Sequence, residues 1–207
     1  MRYPNLDDIG RRPQQYWNVD GLPEVVMGLL WMLWGGAWLF GETLPHDWRW
    51  NLYWMFTPLV LVLTGCAAVW ATKWLKARYT FPRTGYVDWK EPSRATRLAA
   101  GGLALVTAMI LVTILRTGGD ARQHTAPVLG VILSLAFVVA SIRQRAPHLL
   151  ALAGVALALG VALGSVGGGW TTANWLFVWL GAASAVVGVV RLARFIRKHP
   201  RPSLGEA

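Results

Sequence analysis

Long apolar stretches separated by short polar segments dominate this chain. Six stretches of 17 to 21 residues contain no Lys, Arg, Asp or His, and one acidic residue, Glu24, stands at the start of the first. A hydrocarbon core about 30 Å thick requires roughly 20 apolar residues per spanning helix. Lipid leaves only helices or closed barrels as spanning structures, and these stretches lack the alternation of barrel strands. The pattern predicts six transmembrane helices: Pro23–Phe40, Leu52–Thr72, Leu98–Leu115, Ala126–Ile142, Leu149–Val166 and Thr171–Val190.

The composition agrees with an all-α polytopic membrane protein. Of the 207 residues, 55% are hydrophobic and only 14% are charged. That leaves too little polar surface to coat a water-soluble domain of this size. The single cysteine, Cys66, lies within the second predicted span, so it forms no internal disulfide and does not report the redox compartment.

The distribution of basic residues predicts the orientation of the spans. Basic residues accumulate in cytoplasmic loops, and 17 of the 20 Lys and Arg residues fall on one side of a six-span arrangement. That side holds both termini, so we expect the amino and carboxyl ends to be cytoplasmic. The net charge of +10 is explained by this asymmetry, and no nucleic-acid-reading motif accompanies it, so nucleic acid is not an expected partner.

Residues 1–22 predict a short helix lying in the inner headgroup region. Asn5 is a suitable helix cap, and Tyr16 and Trp17 are side chains that favour the membrane interface. The chain then turns into the bilayer between Asp20 and Glu24.

The segment 73–97 is the longest and most basic predicted cytoplasmic loop. Pro82 and Gly85 bracket a turn, with aromatic and β-branched residues on either side. This pattern is typical of a short β-hairpin within Arg78–Glu91, or at least of a compact folded loop.

The later spans are rich in small residues. Gly160 with Gly164, and Ser184 with Gly188, have the small-xxx-small spacing that permits close helix approach. The spacing fits tight packing within one chain, and it also fits a homo-oligomer seam. We divide the chain into an interfacial segment 1–22, a Trp-rich two-helix unit 23–72, a basic loop 73–97, a four-helix bundle 98–190 and a basic tail 191–207.

The side chains form no catalytic, cofactor-binding or metal-binding motif. Ion-coupled transporters usually carry ionisable groups at membrane depth, and the predicted spans have none in their middle. Two alternative functions would place their functional residues in the predicted outer loops. A metal site would need these four residues to meet: His46, Asp47, Asp120 and His124. A lipid-processing enzyme would draw on Glu42, His46, Asp47 and Arg49.

Two short passages carry a resemblance to a known group of proteins. Residues 15–24 read Gln-Tyr-Trp-Asn-Val-Asp-Gly-Leu-Pro-Glu, and residues 81–87 read Phe-Pro-Arg-Thr-Gly-Tyr-Val. Together they resemble uncharacterised bacterial multi-pass membrane proteins with a Tyr-Trp-x-x-Asp-Gly-Leu segment and a Tyr-Pro-Arg-Thr-Gly-Tyr-Val loop, although Phe81 stands here in place of the usual Tyr. The resemblance covers 17 of 207 residues. It implies a bacterial cytoplasmic-membrane protein and brings no activity with it.

These observations favour a non-enzymatic scaffold or regulatory subunit whose basic cytoplasmic face contacts anionic headgroups and a protein partner. We expect Asp20 or Glu24 to pair with Arg83 or a nearby basic residue, which would join the first turn and the loop into one surface. The alternative is a small-molecule or lipid transporter with a cavity between the first two helices and the remaining bundle. The candidate interaction face comprises Tyr16, Trp17, Asp20, Glu24, Arg78, Phe81, Pro82, Arg83, Gly85, Tyr86 and Trp89.

Overall fold

The chain folds as a bundle of long helices. A computed structural model describes residues 20–45, 57–84, 124–144 and 146–200, of which 88% are helical and none forms a strand. The helices are α1 (Leu22–Gly41), α2 (Thr57–Tyr79), α3 (Phe81–Thr84), α4 (Thr125–Gln144), α5 (His148–Val166) and α6 (Trp170–Lys198).

Four helices, α1, α4, α5 and α6, are long and apolar enough to cross a membrane. Helix α2 covers the described part of the second predicted span, and the third predicted span, Leu98–Leu115, lies outside the described residues. The outward faces are apolar: Phe40, Ile142 and Val166 are 68%, 71% and 74% exposed. An apolar exterior of this extent suits lipid and not water. These features of the described helices are compatible with a multi-pass membrane protein.

Helices α1 and α6 make the most extensive contact in the bundle, and glycines allow it. A Cβ atom on Gly28 would lie 2.5 Å from the backbone nitrogen of Ala185, and one on Gly35 would lie 2.5 Å from the carbonyl oxygen of Asn174. Gly181 is packed in the same way against the backbone of α1. Small residues bring membrane helices close enough for their backbones to touch, which maximises van der Waals contact.

Helices α4 and α5 form the second close pair. A Cβ on Gly160 would lie 2.8 Å from the Cα atom of Gly130, and one on Gly164 would collide with the ring of Pro127. Ser184 and Gly188 of α6 contact α1, since the Ser184 hydroxyl donates to the Glu24 carbonyl oxygen at 3.0 Å. Both small-xxx-small pairs therefore serve packing within this chain.

The tryptophans of α1 contact neighbouring helices. The Trp31 ring meets Phe137 of α4 edge-on, with centroids 5.7 Å apart, and meets Phe177 of α6 at 6.4 Å. The Trp34 indole N–H donates to the Thr64 hydroxyl of α2 at 3.1 Å, which satisfies both groups inside an apolar layer. These rings contact three other helices, α2, α4 and α6, and so help to hold α1 in the bundle.

The predicted hairpin is wrong for its first arm. Tyr79 ends α2, and Phe81–Thr84 form the short helix α3, so this arm is helical. The Thr80 N–H donates to the Lys76 carbonyl and the Arg83 N–H to the Thr80 carbonyl, which continues helical hydrogen bonding past the aromatic residues. The remainder of the expected hairpin, from Gly85 onward, lies outside the described residues.

Candidate functional site

Ionisable side chains gather at one end of the bundle, where α1 and α5 begin and where α2 and α6 approach their ends. We call this group the charged end and define it by Asp20, Glu24, Lys76, His148 and Arg191. It lies at the ends of the helices that the charge pattern assigns to the cytoplasmic side. Glu24 in the first turn of α1 and Lys76 in the last turn of α2 also complement the helix dipoles.

Asp20 is the most buried member of the charged end. Its side chain is fully buried, and one carboxylate oxygen accepts hydrogen bonds from the Lys76 ammonium and the Thr80 hydroxyl, each at 2.7 Å. The other oxygen accepts the Leu22 N–H at 3.2 Å, which is one of the unpaired donors in the first turn of α1. A carboxylate without solvent thus receives three donors: one from α1, one from α2 and one from the turn that follows α2.

The local sequence places Asp20 through a glycine turn. Gly21 adopts φ +75°, a conformation that glycine tolerates and other residues rarely adopt. A Cβ there would also lie 2.5 Å from the Gly188 carbonyl oxygen of α6. Pro23 follows in the first turn of α1, where its missing N–H has little cost. The Asp-Gly-Leu-Pro sequence therefore combines a sharp turn, a close helix contact and a buried carboxylate.

Lys76 is only 1% exposed and has its charge balanced by Asp20. It lies on α2 about one turn beyond the predicted span, which ends at Thr72. Burial lowers the pKa of the Lys76 ammonium below its usual value, and the neighbouring Asp20 carboxylate offsets part of that shift. The opposite charges of the pair face each other, and both Asp20 carboxylate oxygens have hydrogen-bond donors.

Glu24, His148 and Arg191 form the second part of the charged end. The Glu24 Oε1 atom accepts a hydrogen bond from Arg191 and lies 2.7 Å from the His148 Nε2 atom. The Arg191 Nη1 atom also lies 2.6 Å from that same histidine nitrogen. These contacts join the start of α1, the start of α5 and the last third of α6.

The position of the His148 proton decides which of its two contacts is a hydrogen bond. Arginine only donates, so His148 accepts from Arg191 when Nε2 carries no proton and donates to Glu24 when it does. The second oxygen of Glu24 is buried and has no partner among the described residues. The tautomer of His148 therefore selects between two hydrogen-bond arrangements within this cluster.

Arg83 ties α3 to the end of α6 instead of pairing with an acid. Its Nη1 atom donates to the carbonyl oxygens of His199, at 2.8 Å, and Ile196, at 3.3 Å. Those carbonyls belong to the last turn of a helix, where no intrahelical donor reaches them. The start of the basic loop is thus attached to the carboxyl-terminal end of α6.

The opposite end of the bundle contains a smaller polar contact. Glu42, just past α1, accepts hydrogen bonds from the Thr171 hydroxyl at 2.9 Å and the Asn174 amide at 3.0 Å. His124 is exposed, while His46, Asp47, Arg49 and Asp120 lie outside the described residues. No three His, Cys, Asp or Glu side chains come together in the part of the chain that is described.

The expected pairing of the first turn with the basic loop is confirmed for Asp20, with Lys76 as its partner. Arg83, the residue named first in that expectation, binds carbonyl groups of α6. Arg78 and Pro82 are exposed, and Phe81 is half-buried. Five members of the candidate face lie outside the described residues: Tyr16, Trp17, Gly85, Tyr86 and Trp89.

The sequence pattern did not single out Lys76, Thr80 or His148. Each lies within about two turns of the inner end of a predicted span, where basic and polar residues usually serve as topology signals. A buried ion-pair partner and an exposed topology signal have the same sequence signature, so their roles differ only through packing.

Three comparisons, with protein-family models, with curated proteins and with solved structures, find no match to this chain.

Proposed function

We propose that this chain is a six-span protein of the bacterial cytoplasmic membrane, with both termini cytoplasmic, that acts as a non-enzymatic scaffold or regulatory subunit. Its cytoplasmic surface would present the basic loop to a protein partner with an acidic surface. The observation that carries this proposal is the fully buried Asp20–Lys76 pair. It fixes the end of α2, from which the basic loop departs, to the first turn of α1.

The form of the charged end favours a structural role over catalysis. Asp20 and Lys76 are sealed from solvent and neutralise each other, so neither is free to act on a substrate. Arg83 then holds α3 against α6 through two carbonyl groups. The loop that begins at α3 is in this way attached to a rigid base made from three helices, which suits a surface that must keep its shape.

Exposed groups around this base supply the contact surface. Arg78 and Pro82 are exposed beside the charged end. A fixed positive surface attracts acidic partners and increases their association rate. The partner would therefore recognise the outer side of the basic loop, and the buried pair would hold that loop in place.

The transporter alternative has less support from the packing of the described helices. Backbone contacts at Gly28 and Gly181 close the interface between α1 and α6, where a central cavity would border the first helix. A depression beside Cys66 and Trp70 opens on the outer, apolar side of α2. Its lining is almost entirely apolar apart from Lys73, which suits contact with lipid chains better than passage of a polar solute.

The proposed orientation predicts the side from which two exposed positions react. In a Cys66→Ala background, a cysteine replacing Ser165, at the end of α5, should react with a membrane-impermeant maleimide in intact cells. A cysteine replacing Arg197, near the end of α6, should react only after the inner membrane is opened. Labelling of the Arg197 position in intact cells would contradict the proposed cytoplasmic carboxyl terminus.

The scaffold role predicts that a protein partner crosslinks to positions near the charged end and not to positions at the opposite end of the bundle. With a photoreactive benzophenone residue in place of Pro82, native membranes should yield one discrete crosslinked protein that mass spectrometry identifies. The same residue in place of Ser165, at the opposite end, should not yield that species. The Arg83→Gln variant should weaken crosslinking from the Pro82 position, because it releases α3 from the end of α6.

Three outcomes would contradict the scaffold proposal. Equal crosslinking from both ends would show that the contact is not specific to the charged side. Crosslinking only to a second copy of this chain would show that the chain associates with itself at this surface and not with a different protein. A yield that Arg83→Gln leaves unchanged would remove the structural link between the charged end and the partner surface.

A further inference from the structure

The carboxyl-terminal end of α6 contains a basic groove that the scaffold role does not use. The groove has a volume of about 230 Å³ and is lined by Arg191, Arg194, Phe195, Lys198 and His199. Phe195 is only 5% exposed and forms an apolar floor. Four nitrogen-bearing side chains around an apolar floor form a site for an anion that also carries an apolar part.

Only some of the cationic side chains that line this groove form ion pairs within the described part of the protein. Arg191 is engaged with Glu24 and His148. Arg194 and Lys198 are exposed and form no ion pair with any acidic group in the described part of the chain. Guanidinium and ammonium groups placed together bind phosphate oxygens through charge-assisted hydrogen bonds. The groove therefore offers two available cations to one phosphate group.

The position of the groove along α6 distinguishes a lipid from a free anion. Val186, Val190, Arg194 and Lys198 are spaced four residues apart, so they form one stripe that is inclined to the helix axis, each residue turned about 40° from the one before. The two valines are 63% and 43% exposed and lie within the predicted span, whereas the two basic residues lie beyond its end at Val190. The stripe thus changes from apolar to cationic at the level where lipid headgroups begin.

We propose that this groove binds the phosphate group of an anionic phospholipid, with the acyl chains lying along Val186 and Val190. Arg194 and Lys198 contact the phosphate, and Phe195 packs against the glycerol region. Arg197 is exposed on the same turn but does not line the groove. The site does not depend on the scaffold role, since it needs only that α6 enters the membrane at this level.

The test uses the purified full-length protein and native mass spectrometry with added phosphatidylglycerol, and with phosphatidylcholine as the zwitterionic control. Basic residues near a membrane surface each contribute about a fivefold gain in affinity for anionic lipid. The wild type should retain one tightly bound phosphatidylglycerol. Arg194→Gln and Lys198→Gln should each weaken its binding about fivefold, and the double variant about 25-fold. All three variants should keep the wild-type melting temperature in neutral detergent, because both side chains are exposed.

Arg197→Gln is the matched control, since it removes one positive charge from the same helical turn. Because an exposed charge that does not touch the bound lipid is screened by solvent, this variant should change the affinity for phosphatidylglycerol by less than about twofold. If Arg197→Gln weakens binding as much as Arg194→Gln, the attraction is diffuse and the site does not exist. The proposal is also overturned if phosphatidylcholine is retained equally well. If inorganic phosphate alone binds with the same dependence on Arg194 and Lys198, the ligand of the groove is a soluble anion and not a lipid.

Discussion

Asp20→Asn is expected to lower the free energy of unfolding by about 3–5 kcal/mol, because it leaves the buried Lys76 ammonium without its counter-charge. Asparagine is nearly the same size as aspartate, so the loss arises from charge and hydrogen bonding. The Lys76 side chain is 1% exposed and has no access to solvent that would compensate. The measurement is an unfolding titration in mixed detergent micelles, followed by tryptophan fluorescence.

Two further variants separate the ion pair from general damage. Glu42→Gln makes a comparable acid-to-amide change at the opposite end, where the carboxylate is part-exposed and accepts from Thr171 and Asn174. It should cost less than about 1 kcal/mol. The double variant Asp20→Asn/Lys76→Met should recover much of the loss, since it removes both charges. If Asp20→Asn costs no more than Glu42→Gln, the Asp20–Lys76 pair does not fix this end of the bundle.

Gly28→Ala is expected to destabilise the protein by about 1–3 kcal/mol, because the added methyl group cannot be accommodated between α1 and α6. Its Cβ would lie 2.5 Å from the Ala185 nitrogen and 2.6 Å from the Gly181 carbonyl oxygen. Both are backbone atoms, so relief requires the two helices to separate. The same unfolding titration measures the effect.

Gly36→Ala, two turns along the same helix, is the matched control. A Cβ at Gly36 meets nothing within 4 Å, so the change adds a methyl group on the open side of α1. Alanine favours the helical backbone over glycine by up to about 1 kcal/mol, so this variant should be neutral or slightly stabilising. Equal losses from the two variants would mean that general helix flexibility, and not the contact with α6, explains the role of Gly28.

The helix positions followed closely from the apolar pattern. The stretch Pro23–Phe40 became α1, Leu22–Gly41, and Leu149–Val166 became α5, His148–Val166. Lipid forces a long apolar segment to satisfy its own hydrogen bonds, so such segments specify helices with little ambiguity. Helix α6 continues about two turns past Val190, because charged residues end a span without ending a helix.

The first arm of the predicted hairpin shows where local pattern was misleading. Tyr79 and Phe81 are aromatic residues that favour strands in isolation. Here Thr80 is only 5% exposed and its hydroxyl donates to Asp20, which lies 60 residues earlier in the chain. A long-range contact to a buried carboxylate thus favoured the helical backbone over the local preference.

The candidate site was predictable in part. Asp20 was identified from the turn that precedes α1, and it or Glu24 was expected to pair with Arg83 or a nearby basic residue. Several cationic side chains lie near the inner ends of the spans, among them Lys76, Arg83 and Arg191. By its position in the sequence, each was a suitable partner for Asp20. Only the packing of α2 beside the start of α1 selected Lys76.

The sequence by itself determined that this protein is helical, apolar on its outside and basic at the ends of its spans, because hydrocarbon imposes those properties residue by residue. The tertiary structure decided that α1 pairs most closely with α6, that Lys76 neutralises Asp20, and that Arg83 binds the end of α6. Those outcomes depend on glycine contacts at Gly28 and Gly181 and on which charges meet after packing. They are properties of pairs of residues far apart in the chain, and no local pattern encodes them.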